Sequence, residues 1–169
     1  MGKNKTYSRV FDMFASNGST YFDKEFFGGD DVFRNDLRHG EYYVMEQKLK
    51  IYPDISWDAF IKWQPNPITC DVVYMDPPHL KFGSTGLMVQ KYTTLPLDWK
   101  NGLDNMFRNA WRIAPVAILK WNSGSIATKE VLKIAEKYYY IAFGNRRDAA
   151  KGGTSFITLI SRREELEDV

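Results

Sequence analysis

The chain has 169 residues, of which 44% are hydrophobic and 26% charged, and its formal net charge is only +2 at pH 7. This composition fits one globular domain and excludes both a disulfide scaffold, since there is a single cysteine, and a basic protein that coats nucleic acid. No segment approaches the roughly 18 apolar residues of a membrane-spanning helix, and residues 1–5 lack the apolar core of a signal peptide. We therefore expect one cytoplasmic domain over residues 1–169.

The first predicted strand, residues 9–15, contains Asp12 and runs into a turn of small residues at 16–19 that includes Gly18. A strand followed by such a turn is typical of nucleotide-type cofactor sites, because missing side chains let the backbone approach the ligand. A short aromatic-rich helix is predicted over residues 20–27.

A second strand is predicted over residues 32–36, and it ends in an acid. In dinucleotide-type folds an acid about 20 residues past the first turn accepts ribose hydroxyl groups, and Asp36 lies at about that distance from Gly18. Residues 42–51 fit either a strand or a helix. Residues 52–55 form a turn that carries Asp54, and residues 57–63 have helical spacing.

The most informative stretch is residues 71–80, where a buried strand runs into an acid, two prolines and an aromatic ring. Pro77 and Pro78 cannot donate to a strand ladder, so Asp76 is predicted at the carboxyl end of the strand. In open α/β sheets that edge binds ligands. An ordinary strand exit with a proline stop is the alternative interpretation of these four residues.

The same four residues have a specific chemical use. The carboxylate of Asp76 can accept a hydrogen bond from an exocyclic amino group, and the stiff Pro-Pro turn can direct a backbone carbonyl at the same nitrogen. His79 can stack on a flat ring. Two acceptors around one planar amine orient its lone pair for attack.

The loop at residues 80–96 is long, basic and free of acids, and it leaves directly from Asp76–His79. Long loops inside compact domains are usually functional, so we interpret it as the loop that grips the substrate. An ordinary surface loop with incidental lysines is the alternative.

The remaining elements alternate. The spacing of apolar residues predicts helices over 98–113 and 127–137, and a buried strand over 116–122. Two strands follow, 138–143 and 154–160, joined by a basic loop at 144–153, and residues 163–169 are predicted to be a flexible tail. This order predicts an α/β fold with a mostly parallel seven-stranded sheet, one antiparallel edge strand, and helices on both faces.

The chain resembles small phage- and prophage-type class I methyltransferases that use S-adenosyl-L-methionine and carry a D-P-P-H motif. The resemblance rests on segments in the same order along the chain: Asp12 to Ser16, Phe22-Asp23-Lys24, Asp36-Leu37-Arg38, Pro53-Asp54-Ile55, Asp76-Pro77-Pro78-His79-Leu80, Lys91-Tyr92, Leu119-Lys120-Trp121 and Phe143-Gly144-Asn145-Arg146. One segment departs from the family, since Ala15-Ser16-Asn17 stands where the family has Cys-Gly-Ser.

The resemblance implies a Rossmann-like fold and a set of site residues, with no metal. It implies catalysis by Asp76, Pro77, Pro78 and His79. It implies cofactor binding by Asp12, Phe14, Ala15, Ser16, Gly18, Asp36, Asp54 and Asp76. It implies substrate binding by Lys81, Lys91, Tyr92, Lys120, Asn145 and Arg146, although Lys120 and Arg146 could equally serve in ion pairs.

The implied activity is methyl transfer to the exocyclic amino group of a nucleobase, with adenine N6 in DNA favoured. RNA, at adenine N6 or guanine N2, is the alternative target, and a catalytically degenerate binding module is the alternative class. The implied partner is nucleic acid, DNA before RNA, with no membrane. With no separate recognition domain, specificity would come from the 80–96 and 144–153 loops, a homodimer or a protein partner.

Overall fold

We describe a computed structural model for residues 7–15, 32–44, 47–62, 69–87, 89, 93–147 and 153–162. Among these residues eight strands and two helices are described over their whole length. The strands are β1 Tyr7–Asp12, β2 Val32–Arg34, β3 Gly40–Val44, β4 Gln47–Ile51, β5 Thr69–Met75, β6 Val116–Asn122, β7 Tyr139–Arg147 and β8 Thr154–Ser161. The helices are α1 Trp99–Ile113 and α2 Thr128–Ala135.

The main sheet has the order β2-β1-β5-β6-β8-β7. β1 pairs in parallel with β2 and β5, and β5 pairs in parallel with β6. β8 is antiparallel to both of its neighbours, β6 and β7. The mostly parallel sheet is confirmed, but the antiparallel strand is the second from the edge rather than the edge itself.

The prediction of seven strands in one sheet is wrong for the described residues, which place six strands in the main sheet and two in a separate hairpin. β3 and β4 pair only with each other, as an antiparallel hairpin. The hairpin begins at Gly40, whose φ of +126° is a conformation that favours glycine and lets the chain turn away from β2. After the hairpin the chain returns to the sheet through one parallel bridge, between Asn35 and Ile55.

Helix α1 confirms the predicted helix over 98–113 almost to the residue. Asp98 caps its amino end by accepting a hydrogen bond from the backbone N–H of Asn101 at 3.2 Å. Pro115 follows the carboxyl end, where a helix cannot continue. Of the apolar side chains that set the predicted spacing, four are fully buried and Trp99 is half-buried; the four are Leu103, Met106, Phe107 and Ala110.

The predicted helix over 57–63 is wrong for its described part, which is an irregular turn. The side chain of Asp58 accepts a hydrogen bond from the backbone N–H of Phe60 at 2.9 Å, and its carbonyl accepts from the N–H of Ile61 at 3.2 Å. An aspartate that binds the backbone two residues on offers the chain an alternative to a helix.

The core lies mainly on one face of the sheet, where both described helices pack. Alternate residues of the central strands point to it, among them Val73, Ala117, Leu119 and Trp121. A smaller cluster of Val10, Val32 and Tyr74, with Ile118 beside it, occupies the other face. The helix predicted over 20–27 lies outside the described residues, so helices on both faces stay a prediction. In the described part of the chain no helix is long and apolar enough to cross a membrane.

Candidate active site

A cavity of about 560 Å³ runs along the carboxyl edge of the sheet. We call the part lined by residues that follow β2 and the hairpin the β2 end; it includes Asn35, Asp36, Leu37, Arg38, Trp57, Asp58 and Phe60. We call the part lined from β5, β6 and β8 the β6 end; it includes Asp76, Pro77, Pro78, His79, Lys120, Asn122 and Thr154. Met13 and Phe14, which follow β1, lie between the two ends in the order of strands.

At the β6 end, Asp76 and Lys120 form an ion pair. The parallel register pairs Met75 with Leu119, so the next residues along the two strands, Asp76 and Lys120, are side by side. Lys120 Nζ donates to Asp76 Oδ2 at 2.6 Å, and the side chains are only 17% and 11% exposed. Register between neighbouring strands therefore places a cation against the acid of the motif.

His79 approaches the second oxygen of the same carboxylate. Its Nε2 lies 3.3 Å from Asp76 Oδ1, and its ring meets the Trp121 ring edge-on at 5.4 Å between centroids. Trp121 is itself fixed, because its indole N–H donates to the carbonyl of Ile126 at 3.0 Å. His79 Nδ1 is buried and has no hydrogen-bond partner within the described residues. The histidine thus holds Asp76 from the side opposite Lys120.

These neighbours decide the ionisation of Asp76. Burial by itself raises the pKa of the carboxyl, but the hydrogen bond from His79 and the positive charge of Lys120 outweigh burial, so the pKa of Asp76 lies below its usual value. The carboxylate is therefore ionised at neutral pH and available only as a hydrogen-bond acceptor.

The wall above Asp76 comes from the 80–96 loop, which returns to its own start. The backbone N–H of Leu95 donates to the carbonyl of Leu80 at 2.8 Å, and Thr93, Thr94 and Pro96 line the cavity. Pro96 packs directly on Gly102 of α1, where a Cβ atom would overlap the proline ring. The absence of a side chain at Gly102 thus sets how closely this wall approaches the helix.

At the β2 end, Asn35 joins three segments of the chain. Its side-chain NH₂ donates to the carbonyls of Met13 at 2.9 Å and Trp57 at 3.0 Å, and its side-chain oxygen accepts from the N–H of Trp57 at 2.9 Å. Asn35 is only 1% exposed. It fixes the exits of β1 and β2 to the segment that follows the hairpin.

Asp36 also lines the β2 end, and Arg38 holds it in place. The guanidinium of Arg38 donates to both carboxylate oxygens at 3.0 Å, and the Arg38 backbone N–H donates to Oδ1 at 2.8 Å. A two-point contact of this kind fixes the plane of the carboxylate.

Helix α1 holds the turn of Asp58 and Phe60 from outside. Asn109 donates to the carbonyls of Ala59 at 3.2 Å and Ile61 at 2.8 Å, and Asn105 donates to the carbonyl of Phe60 at 3.1 Å. The Phe60 ring packs against Phe14, with 5.3 Å between centroids. The turn found in place of the predicted helix is therefore held by hydrogen bonds and forms part of the cavity wall.

The structure brings seven of the predicted site residues to the cavity: Phe14, Asp36, Asp76, Pro77, Pro78, His79 and Lys120. Five others are described but do not line it: Asp12, Ala15, Asp54, Lys81 and Asn145. Ser16, Gly18, Lys91 and Tyr92 lie outside the described residues, as do the side chain of Arg146, residues 148–152 of the predicted 144–153 loop, and the 163–169 tail. Residues 144–147 belong to strand β7, so the prediction that the loop begins at 144 is wrong.

The described residues that do not line the cavity have identifiable contacts. Asp12 is fully buried, and its carboxylate accepts from the backbone N–H of Phe14 at 3.2 Å, which shapes the exit of β1. Asp54 accepts from the backbone N–H of Arg34 at 2.8 Å. Lys81 is exposed, with its Nζ 6.0 Å from the centroid of the Trp99 ring. Direct contact of these three with a ligand stays a prediction.

Sequence reasoning missed Asn35, Trp57, Asp58 and Phe60 as cavity residues. The only local signal was Asp58 beside two aromatic residues, and helical spacing obscured it. In the part of the chain that the structure describes, no group of three or more metal-ligating side chains is present.

No protein-family model and no curated protein matches this sequence. Solved structures do match. The PH0226 protein from Pyrococcus horikoshii OT3 is 12% identical, with a TM-score of 0.57 over 92% of this chain and 82% of that chain. The Mtq2–Trm112 complex of E. cuniculi, responsible for methylation of the eRF1 translation termination factor, is 15% identical, with a TM-score of 0.58 over 94% and 87%.

The N-methyltransferase NodS from Bradyrhizobium japonicum WM9, solved with S-adenosyl-L-homocysteine, is 11% identical, with a TM-score of 0.51 over 92% of this chain and 78% of that chain. At such identities the likeness establishes the fold and nothing finer. The chain has the Rossmann-like methyltransferase fold, with a mixed six-stranded sheet and a separate antiparallel pair among its described residues.

Proposed function

We propose that this protein is a methyltransferase that transfers a methyl group from S-adenosyl-L-methionine to the exocyclic amino group of a nucleobase. One observation carries the proposal. An ionised Asp76, followed by Pro77-Pro78-His79, opens from the carboxyl end of β5 into a cavity of about 560 Å³. The methyltransferase fold of the chain supports the same class of reaction.

The cavity fits a nucleoside-type cofactor in size and in chemistry. Its volume lies within the range of about 300–1,000 Å³ that small-molecule sites occupy. The β2 end offers the carboxylate of Asp36, held by Arg38, for hydroxyl groups, and the rings of Phe14, Trp57 and Phe60 for a flat base. S-adenosyl-L-methionine, when bound, supplies a methyl group already activated by a sulfonium.

The residues of the β6 end then position the target amine. Asp76 and the backbone carbonyl of Pro77 accept hydrogen bonds from the amino group, which directs its lone pair toward the methyl carbon. His79 packs against the base. Methylation would leave one proton too many on the nitrogen, and the ionised Asp76, as one of the two groups that accept from the amine, would be the base that takes it.

Adenine N6 in DNA is our proposed target. The support is the D-P-P-H motif at the end of β5 and the resemblance of the sequence to phage-type enzymes. RNA is the alternative within the same chemistry. A target inside a duplex must be flipped out of the stack, so a single-stranded or mismatched target costs less to engage. We propose that the 80–96 loop and the connection between β7 and β8, or a partner, supply specificity.

The test is transfer of labelled methyl from S-adenosyl-L-methionine to duplex DNA, single-stranded DNA and RNA in parallel, followed by identification of the methylated nucleoside. We expect N6-methyladenine in DNA. Asp76→Ala should lower the rate at least about 100-fold, because it removes both the acceptor and the base. Methylation by Asp76→Ala at the wild-type rate would refute the role of Asp76.

Calorimetry with S-adenosyl-L-methionine tests the cofactor separately from the target. Binding without transfer to any nucleic acid would leave the methyltransferase assignment and overturn the nucleobase target. No binding, even with nucleic acid present, would favour a binding module built on the same fold.

A further inference from the structure

Asp76 and Lys120 place a hydrogen-bond acceptor and a hydrogen-bond donor side by side in the wall of the cavity. Asp76 Oδ2 and Lys120 Nζ are 2.6 Å apart, and both residues line the β6 end. Both side chains are largely buried, and His79 holds the second oxygen of the Asp76 carboxylate, with Nε2 3.3 Å from Oδ1. The pair is therefore a fixed feature of the site rather than a mobile surface contact.

Both partners keep hydrogen-bonding capacity after they pair. A lysine ammonium has three N–H groups, and among the described residues only Asp76 accepts from Lys120. A carboxylate has about four acceptor positions, and within the same residues each oxygen of Asp76 has one partner, Lys120 or His79. The pair can therefore present one acceptor and one donor to a ligand at the same time.

This arrangement has the hydrogen-bonding pattern of an asparagine or glutamine amide. Such an amide reads adenine through two bonds, one from the amino group of the base and one to a ring nitrogen. Here Asp76 supplies the acceptor and Lys120 the donor. In adenine the amino group on C6 is joined through that carbon to N1, so one unit, H₂N–C=N, offers a donor and an adjacent acceptor.

We propose that Lys120 donates a hydrogen bond to the ring nitrogen beside the target amino group, so that the Asp76–Lys120 pair recognises the H₂N–C6=N1 edge of adenine. This inference rests on the proposed function. On its Watson–Crick edge guanine presents two donors, N1–H and the N2 amino group, and the ammonium of Lys120 would oppose N1–H. Cytosine carries the same H₂N–C=N unit at C4 and N3, so the pair selects against that edge of guanine but does not separate adenine from cytosine. Uracil and thymine have no amino group for Asp76. Lys120 is thus a specificity-determining residue and not only the counter-ion of Asp76.

The test uses single-stranded oligonucleotides that carry adenine, 1-deazaadenine or 7-deazaadenine at the methylated position. In 1-deazaadenine a C–H replaces N1, whereas 7-deazaadenine loses N7 and keeps the edge that Lys120 reads. For the wild type we expect transfer to 1-deazaadenine to be slower than to adenine by at least about tenfold, as for loss of a hydrogen bond to a charged group. Transfer to 7-deazaadenine should be close to that for adenine.

The variant Lys120→Met keeps the length of the side chain and removes the donor. It should be slower on adenine and should show no further loss on 1-deazaadenine, because the bond that the analogue deletes is already absent. Lys137→Met is the matched control. Lys137 lies at the surface against Asp104, away from the cavity, and its variant should keep the wild-type discrimination.

Two results would overturn the inference. One is a wild type that methylates 1-deazaadenine as fast as adenine, which needs no variant and so holds even if Lys120→Met does not fold. The other is a Lys120→Met enzyme that keeps the full penalty on 1-deazaadenine. Absence of transfer to the adenine oligonucleotide would instead overturn the nucleobase target, and this inference with it.

Discussion

At the β2 end of the cavity the buried Asn35 binds the protein's own backbone, whereas at the β6 end three side chains bind one another. Asn35 makes three side-chain hydrogen bonds to the backbone of Met13 and Trp57. Asp76, Lys120 and His79 form a side-chain cluster instead, and His79 Nδ1 is buried without a hydrogen-bond partner in the described part of the chain.

The difference indicates separate roles for the two ends, one in holding a ligand and the other in the reaction. The β2 end is rigid because three chain segments converge on Asn35, and that suits a site that must hold a cofactor in one orientation. The β6 end holds an ionised carboxylate in a fixed position with bonding capacity left over, and that suits a site for the reacting group. Substitutions at the two ends should therefore have separable effects, on binding and stability at one end and on transfer at the other.

The largest expected effect on folding is at Asn35. Asn35→Ala removes three hydrogen bonds at a buried position, so we expect the free energy of unfolding to fall by about 2–4 kcal/mol and the affinity for S-adenosyl-L-methionine to fall with it. Urea denaturation and calorimetry measure the two quantities. Asn35→Asp, which keeps only the acceptor oxygen, should not restore them. Unchanged cofactor affinity in Asn35→Ala would show that the β2 end does not hold the cofactor as we expect.

The second effect concerns pH at the β6 end. The pKa of Asp76 lies below its usual value, so the ionised carboxylate contributes stability above the pKa of an unfolded aspartate, and that contribution is lost as pH falls through the folded pKa. Lys120→Met removes one of the two groups that offset burial, which raises the pKa of Asp76. On acidification, methyl transfer by this variant should decline at a higher pH than in the wild type.

The measurement is a pH–rate profile of both proteins, with urea denaturation at about pH 7 and about pH 3. The stability difference between the two proteins should shrink at the lower pH, because protonation of the carboxylate progressively removes its attraction to Lys120. An acid limb at the same pH in both proteins would show that Lys120 does not control the charge of Asp76.

Much of the fold is predictable from the sequence because its signals are local. The burial pattern of α1 and the buried strand β6 follow from spacing within a few residues. Residues 42–51, which lie in the β3–β4 hairpin, fitted either a strand or a helix, because their mixture of polar and apolar side chains has neither period. The position of β8 between β6 and β7 has no local signature, because strand order depends on pairing between distant segments.

The candidate site divides in the same way. Asp76 is predictable because four consecutive residues define it. Asn35 is not, because its partners Met13 and Trp57 are 22 residues away in the chain, in both directions. The Asp76–Lys120 pair depends on the register of two parallel strands, 44 residues apart, so the sequence leaves Lys120 open between a substrate contact and an ion pair.

A smaller effect is expected at the wall that connects the two ends. Gly102→Ala adds a methyl group that overlaps the Pro96 ring and lies near Phe60. We expect a loss of about 1–2 kcal/mol in the free energy of unfolding, despite the better helix propensity of alanine, because the proline ring cannot move aside as a flexible side chain would. Thermal denaturation tests whether the substitution lowers or raises the stability of the protein. A Gly102→Ala variant more stable than the wild type would mean that Pro96 shifts at little cost to make room for the methyl group.

The smallest effect is expected far from the cavity. Asp104 accepts hydrogen bonds from Arg108, Lys137 and Tyr138 on the outer side of α1. Asp104→Ala should lower the free energy of unfolding by about 1 kcal/mol and leave cofactor affinity and transfer rate unchanged. A change in either functional measurement would show that the helix transmits surface changes to the cavity.

The reversed direction of β8 has a consequence for how this site could diversify. Among the described strands, β1, β2, β5 and β6 reach the cavity at their carboxyl ends, but β8 begins there, at Thr154, which pairs with Arg147 of β7. β8 therefore begins beside Asn122 and Lys120, at the end of its connection from β7. Changes in the length of that connection would reshape the substrate side while leaving the parallel strands and the β2 end as they are. A library of insertions between β7 and β8 is thus the most economical route to new target preferences on this scaffold.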